Sequence, residues 1–283
     1  MQDPADYELQ KGHEADQEPE PDGGPPRRWA LVAAALVAAA VVAAYFFFRA
    51  GTPEQVPASV SPPAADEAGE PARPLGGEPM PGDVPPLEDS DAFVRDLIRH
   101  LSSHPKLAAW LATDGLIRNF TVAVTNVADG RTPAPHLAVL RPAADFRPGG
   151  TLEEPILDPR SYERYNELAE AADSVNASGT AEIYATLKPR IEEAHRELGG
   201  QGSFDGTLER AIVHLLETPI PEGPVRLREV GIGYGFADKR LESLSGAQKQ
   251  LIRMGPRNAR LVQEKLREIA VELGIPPSRL PPE

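Results

Sequence analysis

The sequence predicts a mainly α protein with a single N-terminal transmembrane helix, a Pro-rich linker and a compact helical domain that carries a small β element. Three observations lead there. Residues Trp29 to Phe48 read WALVAAALVAAAVVAAYFFF, with no charge, amide or proline. The stretch that follows is crowded with proline. From Asp89 onward, apolar residues recur at the three- and four-residue steps of a helix face. The 283 residues include 31 Pro and 24 Gly, much of that excess in one half, so the folded part is smaller than the whole. The expected layout is a disordered acidic cytoplasmic tail at 1–28, the span at 29–48, a linker at 49–88, a helical domain at 89–275 and a flexible tail at 276–283.

The span is the clearest signal. At about 1.5 Å rise per residue, twenty residues cover roughly 30 Å, the thickness of a bilayer core. Alanine is nearly neutral for insertion, so Leu31, Val32, Leu36, Val37, Val41, Val42 and the run Phe46 to Phe48 supply the drive. Trp29 and Tyr45 stand near opposite ends, where amphipathic rings favour the interface. A cleaved signal peptide fits less well: the apolar run exceeds the usual ~7–15 residues, and the Phe46-Phe47-Phe48-Arg49 exit offers no small-residue cleavage site. Arg27 and Arg28 abut the N-terminal end, whereas Arg49 and Arg73 are the only basic residues for some distance beyond. That bias places the N-terminus in the cytoplasm and the bulk of the chain across the membrane. The expectation is a single-pass inner-membrane protein with a periplasmic domain, partnered by the inner membrane through Trp29 to Phe48.

Residues 1–28 hold eight acids against three bases and too little apolar surface to offset ordering entropy. Residues 51–88 hold ten prolines and seven acids against one arginine, a composition that favours extended polyproline II and a spacer role.

In the domain, Ser90 is positioned to cap a helix with Phe93, Val94, Leu97 and Ile98 on its apolar face. Pro105 begins a short helix with Leu107, Trp110 and Leu111. Leu116, Ile117, Phe120, Val124 and Val127 predict a further helix ending at Gly130. The Pro-rich stretch from Arg131 to Pro159 has no clear period; a loop this long is unusual inside a domain, and His136 to Leu140 reads as a short extended piece. Helices follow at about 159–175 and 178–198, the second with a kink or break at Pro189. Asp205 is positioned to cap a helix carrying Leu208, Ile212 and Leu215. Val225 to Phe236 alternates as a strand, bulged or bent at Gly231, Gly233 and Gly235. Ser245 starts a helix that stops at Gly255, and Pro256 opens the last one.

The stretches EDSDAFVRDLI, LAAWLATDGLIRNF, HLAVLRP, DPRSYERY, GSFDGTLERAIVHLL and, most specifically, LSGAQKQLIRMGPRNAR resemble the DUF3014 family of bacterial membrane-anchored proteins. The resemblance covers roughly residues 87–273. It implies an architecture and a Gram-negative envelope setting, and it implies no activity and no catalytic residues.

The absence of cysteine removes disulfides, thiolate catalysis and Cys-ligated metals. A net charge of −14 argues against nucleic acid as a partner. No metal or cofactor site is expected: His100 and His104 have the four-residue spacing of a zinc pair but lack a third ligand and an HExxH frame. His195 lies beside Glu192 and Glu193, an ordinary arrangement on a solvated helix, and His214 reads as helix packing. Glu153 with Glu154, or Asp158 with Glu163, are carboxylate pairs of the kind a glycosidase uses, common in so acidic a chain. Against that acidic background, 239–267 holds eight basic residues and two acids. Lys249, Arg253, Arg257, Asn258 and Arg260 are therefore a candidate contact surface for an envelope protein or an anionic envelope polymer. An i,i+4 pair between Arg260 and Glu264, and capping of helix ends by Arg257 and Asn258, are the structural alternatives. His136 and Arg141, in the long loop, are the second candidate contact. The functional expectation is a non-enzymatic tether or interaction module. The competing class is an envelope-polymer hydrolase, which a pocket gathering His136, Arg141 and carboxylates would favour.

Overall fold

The structure is a computed structural model and describes residues 74–231 and 233–282. The expected tail, the span at 29–48 and the first part of the linker lie outside the described residues. Among the described residues, no helix is long and apolar enough to cross a membrane.

Among the described residues, ten α-helices and two small β-hairpins make up the domain. Helices α1 (Asp91–Ile98), α2 (Pro105–Leu111) and α3 (Leu116–Ala128) follow the predicted periodicity. Next come β1 (Pro148–Gly150), β2 (Pro155–Leu157), α4 (Pro159–Tyr162), α5 (Asn166–Asp173), α6 (Ala177–Glu197) and α7 (Phe204–Leu216). The chain closes with β3 (Leu227–Val230), β4 (Gly233–Phe236), α8 (Lys239–Glu242), α9 (Gly246–Arg253) and α10 (Pro256–Glu272). The main core lies between α1, α3, α6, α7 and the end of α10, with Leu116, Ala194, Phe204 and Ala270 fully buried. The stretch Ala68–Glu283 forms one compact unit, and every core cluster among the described residues is drawn from Leu75 onward, so this unit carries its own core.

Several local expectations are corrected. Ser90 does not cap α1: its backbone is already helical and its hydroxyl donates to the Leu87 carbonyl of the preceding 3-10 turn at 2.8 Å. Asp91 instead caps a different helix, its carboxylate accepting from the Gly115 and Leu116 amides at the start of α3 at 2.7 and 2.9 Å. Ser203, not Asp205, caps α7. Residues 134–140 form a kinked 3-10 turn rather than an extended piece, its break at Leu137 (φ −116°, ψ 33°). The helix expected at 159–175 is split into α4, a 3-10 turn at Glu163–Tyr165 and α5, while α6 runs through Pro189 without interruption. The strand expected at 225–236 folds on itself as the β3–β4 hairpin. A bridge between Ile156 and Arg226 links it to the β1–β2 hairpin.

The packed domain also extends beyond 89–275 at both ends. Leu75 and Leu87, expected in the linker, are core residues, with Met80 and Val84 packed against the same cluster. The backbone there is satisfied by side chains: Arg190 donates to the Val84 and Pro85 carbonyls, and Lys188 to that of Leu75. Asp205 is freed from capping for this purpose, accepting from the Leu75 amide at 3.1 Å, from the Tyr184 hydroxyl at 2.6 Å and from Lys188. Burial and that donated hydrogen bond push the Tyr184 phenol far above its ordinary pKa, so it stays neutral. At the other end, Leu280 is buried and Arg279 pairs with Glu209 at 2.7 Å, which ties down the tail expected to be flexible.

Candidate functional site

The basic run divides into residues turned inward and residues left outside. Lys249, on α9, donates to the Glu242 carbonyl at 3.0 Å and also pairs with the Glu242 carboxylate. Arg253 lies 5.4 Å over the Phe236 ring, and burial pushes its guanidinium down from the usual pKa. Asn258 is 1% exposed, and its Nδ2 donates toward the Tyr162 and Met254 carbonyls and Asn166 Oδ1. Asn258 therefore belongs to the fold, in the helix-end role weighed for it, while Lys249 and Arg253 are half-buried with their charged ends set against neighbouring groups. Arg257 and Arg260 remain exposed on the first turns of α10. Arg257 contacts Glu170 at 3.7 Å, while Arg260 makes no ion pair with Glu264 among the described residues.

His136 and Arg141 are both exposed, in and just after the 134–140 turn. The paired carboxylates are committed elsewhere or open to solvent. Asp158 caps α4 through the Arg160 amide and binds the Arg160 guanidinium, which holds its carboxyl below the usual range. Glu153 and Glu154 are exposed beside the β1–β2 turn. His104 caps α2 through Nδ1, and His214 Nε2 meets Ser245 Oγ at 2.8 Å. Among the described residues, no group of three His, Asp or Glu side chains could hold a metal ion. His195 is buried against the Phe204 ring edge at 5.4 Å, with neither ring nitrogen partnered among the described residues.

A concave feature of the domain lies elsewhere. A cavity of about 400 Å³ opens within the helical core, its wall built from the inner faces of α1, α2, α3, α6, α7 and α10 and almost wholly apolar. Pro133 and Leu137 close one side, where the 134–140 turn packs over α2 and α3. Leu107, Trp110, Pro133 and Leu137 on that side are only half-buried, as are wall residues on other sides such as Ile98, Val175, Thr180 and Leu266. The few polar wall atoms are mostly engaged: Thr180 Oγ1 donates to the Asn176 carbonyl and the Tyr184 hydroxyl to Asp205. Trp110 is the wall residue whose polar atom, the indole N–H, is buried without a partner among the described residues.

The volume falls within the ~300–1,000 Å³ of ligand sites and is more than twice the ~150 Å³ of an engineered apolar cavity that takes up benzene.

The family model for DUF3014, described as a protein of unknown function, matches residues 116–270, more than half of the chain. The chain belongs to the DUF3014 family. No curated protein and no solved structure matches it.

The DUF3014 match runs from the start of α3 to near the end of α10 and so takes in much of the cavity wall. The stretch LSGAQKQLIRMGPRNAR, on which the sequence resemblance chiefly rested, performs structural work. Ser245 and Gln248 form a reciprocal capping box on α9, and Gln248 Nε2 reaches the His214 carbonyl at 3.3 Å. Gln250 Nε2 donates to the Tyr165 hydroxyl at 3.2 Å. Gly255 turns the chain at φ 84°, with the Tyr162 ring so close that an added Cβ would lie 2.3 Å from its Cγ. Sequence reasoning placed the candidate surface in this motif and missed the cavity. Its wall residues had been read correctly as apolar helix faces, and such a pattern looks the same whether the faces meet or leave space. The long Pro-rich loop, flagged as unusual, was the available signal.

Proposed function

We propose that this DUF3014 protein is a single-pass envelope protein, N-terminus in the cytoplasm, whose helical domain acts across the inner membrane as a non-enzymatic binding module. The observation that carries the binding reading is the 400 Å³ apolar cavity, which holds a place for a ligand and gathers no acid–base pair on its wall. The anchoring reading is supported by the uncharged run Trp29 to Phe48 with Arg27 and Arg28 before it. Of the candidate contact residues Lys249, Arg253, Arg257, Asn258 and Arg260, Arg257 and Arg260 are the exposed ones and the ones assigned to an anionic envelope polymer or an envelope protein.

Two experiments test this. A phosphatase reporter that works only in the periplasm is expected to be active when fused after Glu283 and inactive when fused before Arg27; the reverse pattern overturns the orientation. The Ala68–Glu283 unit is expected to be retained on isolated envelope fractions, less so with rising salt, and Arg257→Glu with Arg260→Glu is expected to release it while preserving the melting temperature. Retention that ignores both salt and the double substitution removes these arginines from the contact.

A further inference from the structure

We infer that the core cavity binds one long acyl chain, that of a fatty acid or of a phospholipid. This rests on the binding-module reading and names its ligand.

The wall selects the class. It offers hydrocarbon on nearly every side, from Ile117, Val124, Leu187, Ile212 and Ile269 among others, and its polar groups at Thr180 and Tyr184 are already engaged. A ligand rich in polar atoms would lose its hydration here without replacement partners, which is unfavourable for each group buried. A flexible chain of methylenes loses nothing of the kind and gains from every apolar contact. Trp110 lines the same wall with its ring, and its indole N–H is itself buried, so the wall presents hydrocarbon there as elsewhere.

The 134–140 turn supplies the closure. Leu137 packs on the cavity from a segment whose helical geometry breaks at that residue. Ala134, His136, Ala138 and Val139 around it are exposed, so little besides Pro133 and Leu137 holds the turn over α2 and α3. His136 and Arg141 thus stand on the covering element, outside the apolar wall. Their place there fits a charged or polar head kept in solvent while the chain is buried.

Trp110 makes the test direct, because the chain has two tryptophans and Trp29 lies outside the Ala68–Glu283 unit. Bromine quenches tryptophan on contact. The unit is unfolded, stripped of bound lipid, refolded and titrated with dibrominated stearate in one arm and with vesicles of dibrominated phosphatidylcholine in the other. Saturable quenching at one equivalent, reversed by unbrominated stearate, is the expected result in the first arm. Quenching in the vesicle arm as well extends the ligand to phospholipid chains, and its absence restricts it to free fatty acids. Ala123→Phe, which places a ring in the cavity from α3, is expected to weaken quenching by about tenfold or more without lowering the melting temperature. Unchanged fluorescence of the folded unit overturns the proposal. So does quenching that never saturates and is the same in Ala123→Phe, the mark of surface adsorption. Should Ala123→Phe fail to fold, the stoichiometry and reversibility of the wild-type titration decide alone. Loss of this inference with envelope retention intact leaves the binding-module reading standing.

Discussion

Replacing Asn258 with alanine tests whether the LSGAQKQLIRMGPRNAR stretch is a fold element or a contact. The side chain is 1% exposed, and its Nδ2 lies within 3.1 Å of the Tyr162 carbonyl, Asn166 Oδ1 and the Met254 carbonyl. Nδ2 has two hydrogens, so it serves two of these three acceptors fully at a time. Alanine removes both donors and fills less space. At ~1–3 kcal/mol for each buried acceptor left bare, the loss is about 3 kcal/mol. For a unit of this size, about 2–4 °C per kcal/mol translates that into a fall of about 6–12 °C in melting temperature. The assay is thermal unfolding of the Ala68–Glu283 unit followed by circular dichroism. Asn258→Asp is expected to be worse still, since a carboxylate would face oxygens that offer no proton. Arg260→Ala, an exposed neighbour, is expected to stay within about 0.5 kcal/mol of the unsubstituted unit. An Asn258→Ala unit melting within about 2 °C of it would refute the reasoning.

Gly255→Ala is expected to cost more than Gly274→Ala, the difference measuring the Tyr162 contact. Both glycines have positive φ (84° and 87°), but an added Cβ meets the Tyr162 ring only at Gly255; equal melting temperatures would deny the contact a role. Asp158 has a folded pKa held below the unfolded value by Arg160, so its stabilisation is present above the usual aspartate pKa of about 3.9 and is lost as pH falls through the lowered value. Asp158→Asn is therefore expected to be less stable at neutral pH and to lose less on acidification, read from melting temperature against pH. Asp205→Ala removes the acceptor shared by the Leu75 amide, Tyr184 and Lys188. It is expected to speed protease cleavage within 74–86 while the helical signal is retained, and unchanged cleavage would show that Leu75 is held by packing alone.

The local alphabet of this protein was written in its sequence. The apolar steps of α1, α3, α7 and α10 predicted helices because a 3.6-residue period is a property of the chain itself. Ser245 with Gln248, and Gly255 with Pro256, marked helix ends because capping acts over three or four residues. The uncharged run Trp29 to Phe48 and the absence of cysteine were equally direct. What tertiary structure alone decided were the partners of groups distant in sequence. Asp205 looked like a cap, but its carboxylate binds a segment 130 residues away. Prolines made residues 74–88 read as a spacer, yet Arg190 and Lys188 satisfy that backbone and Leu75 and Leu87 enter the core. Arg253 and Asn258 counted as surface because charge and polarity are read residue by residue, whereas burial depends on which helix lies opposite. The cavity is the extreme case. Periodicity fixes which face of each helix is apolar, but the distance between those faces is set by how six helices and one 3-10 turn pack together, and that distance decides whether a hydrophobic pattern becomes a filled core or a site with room for a ligand.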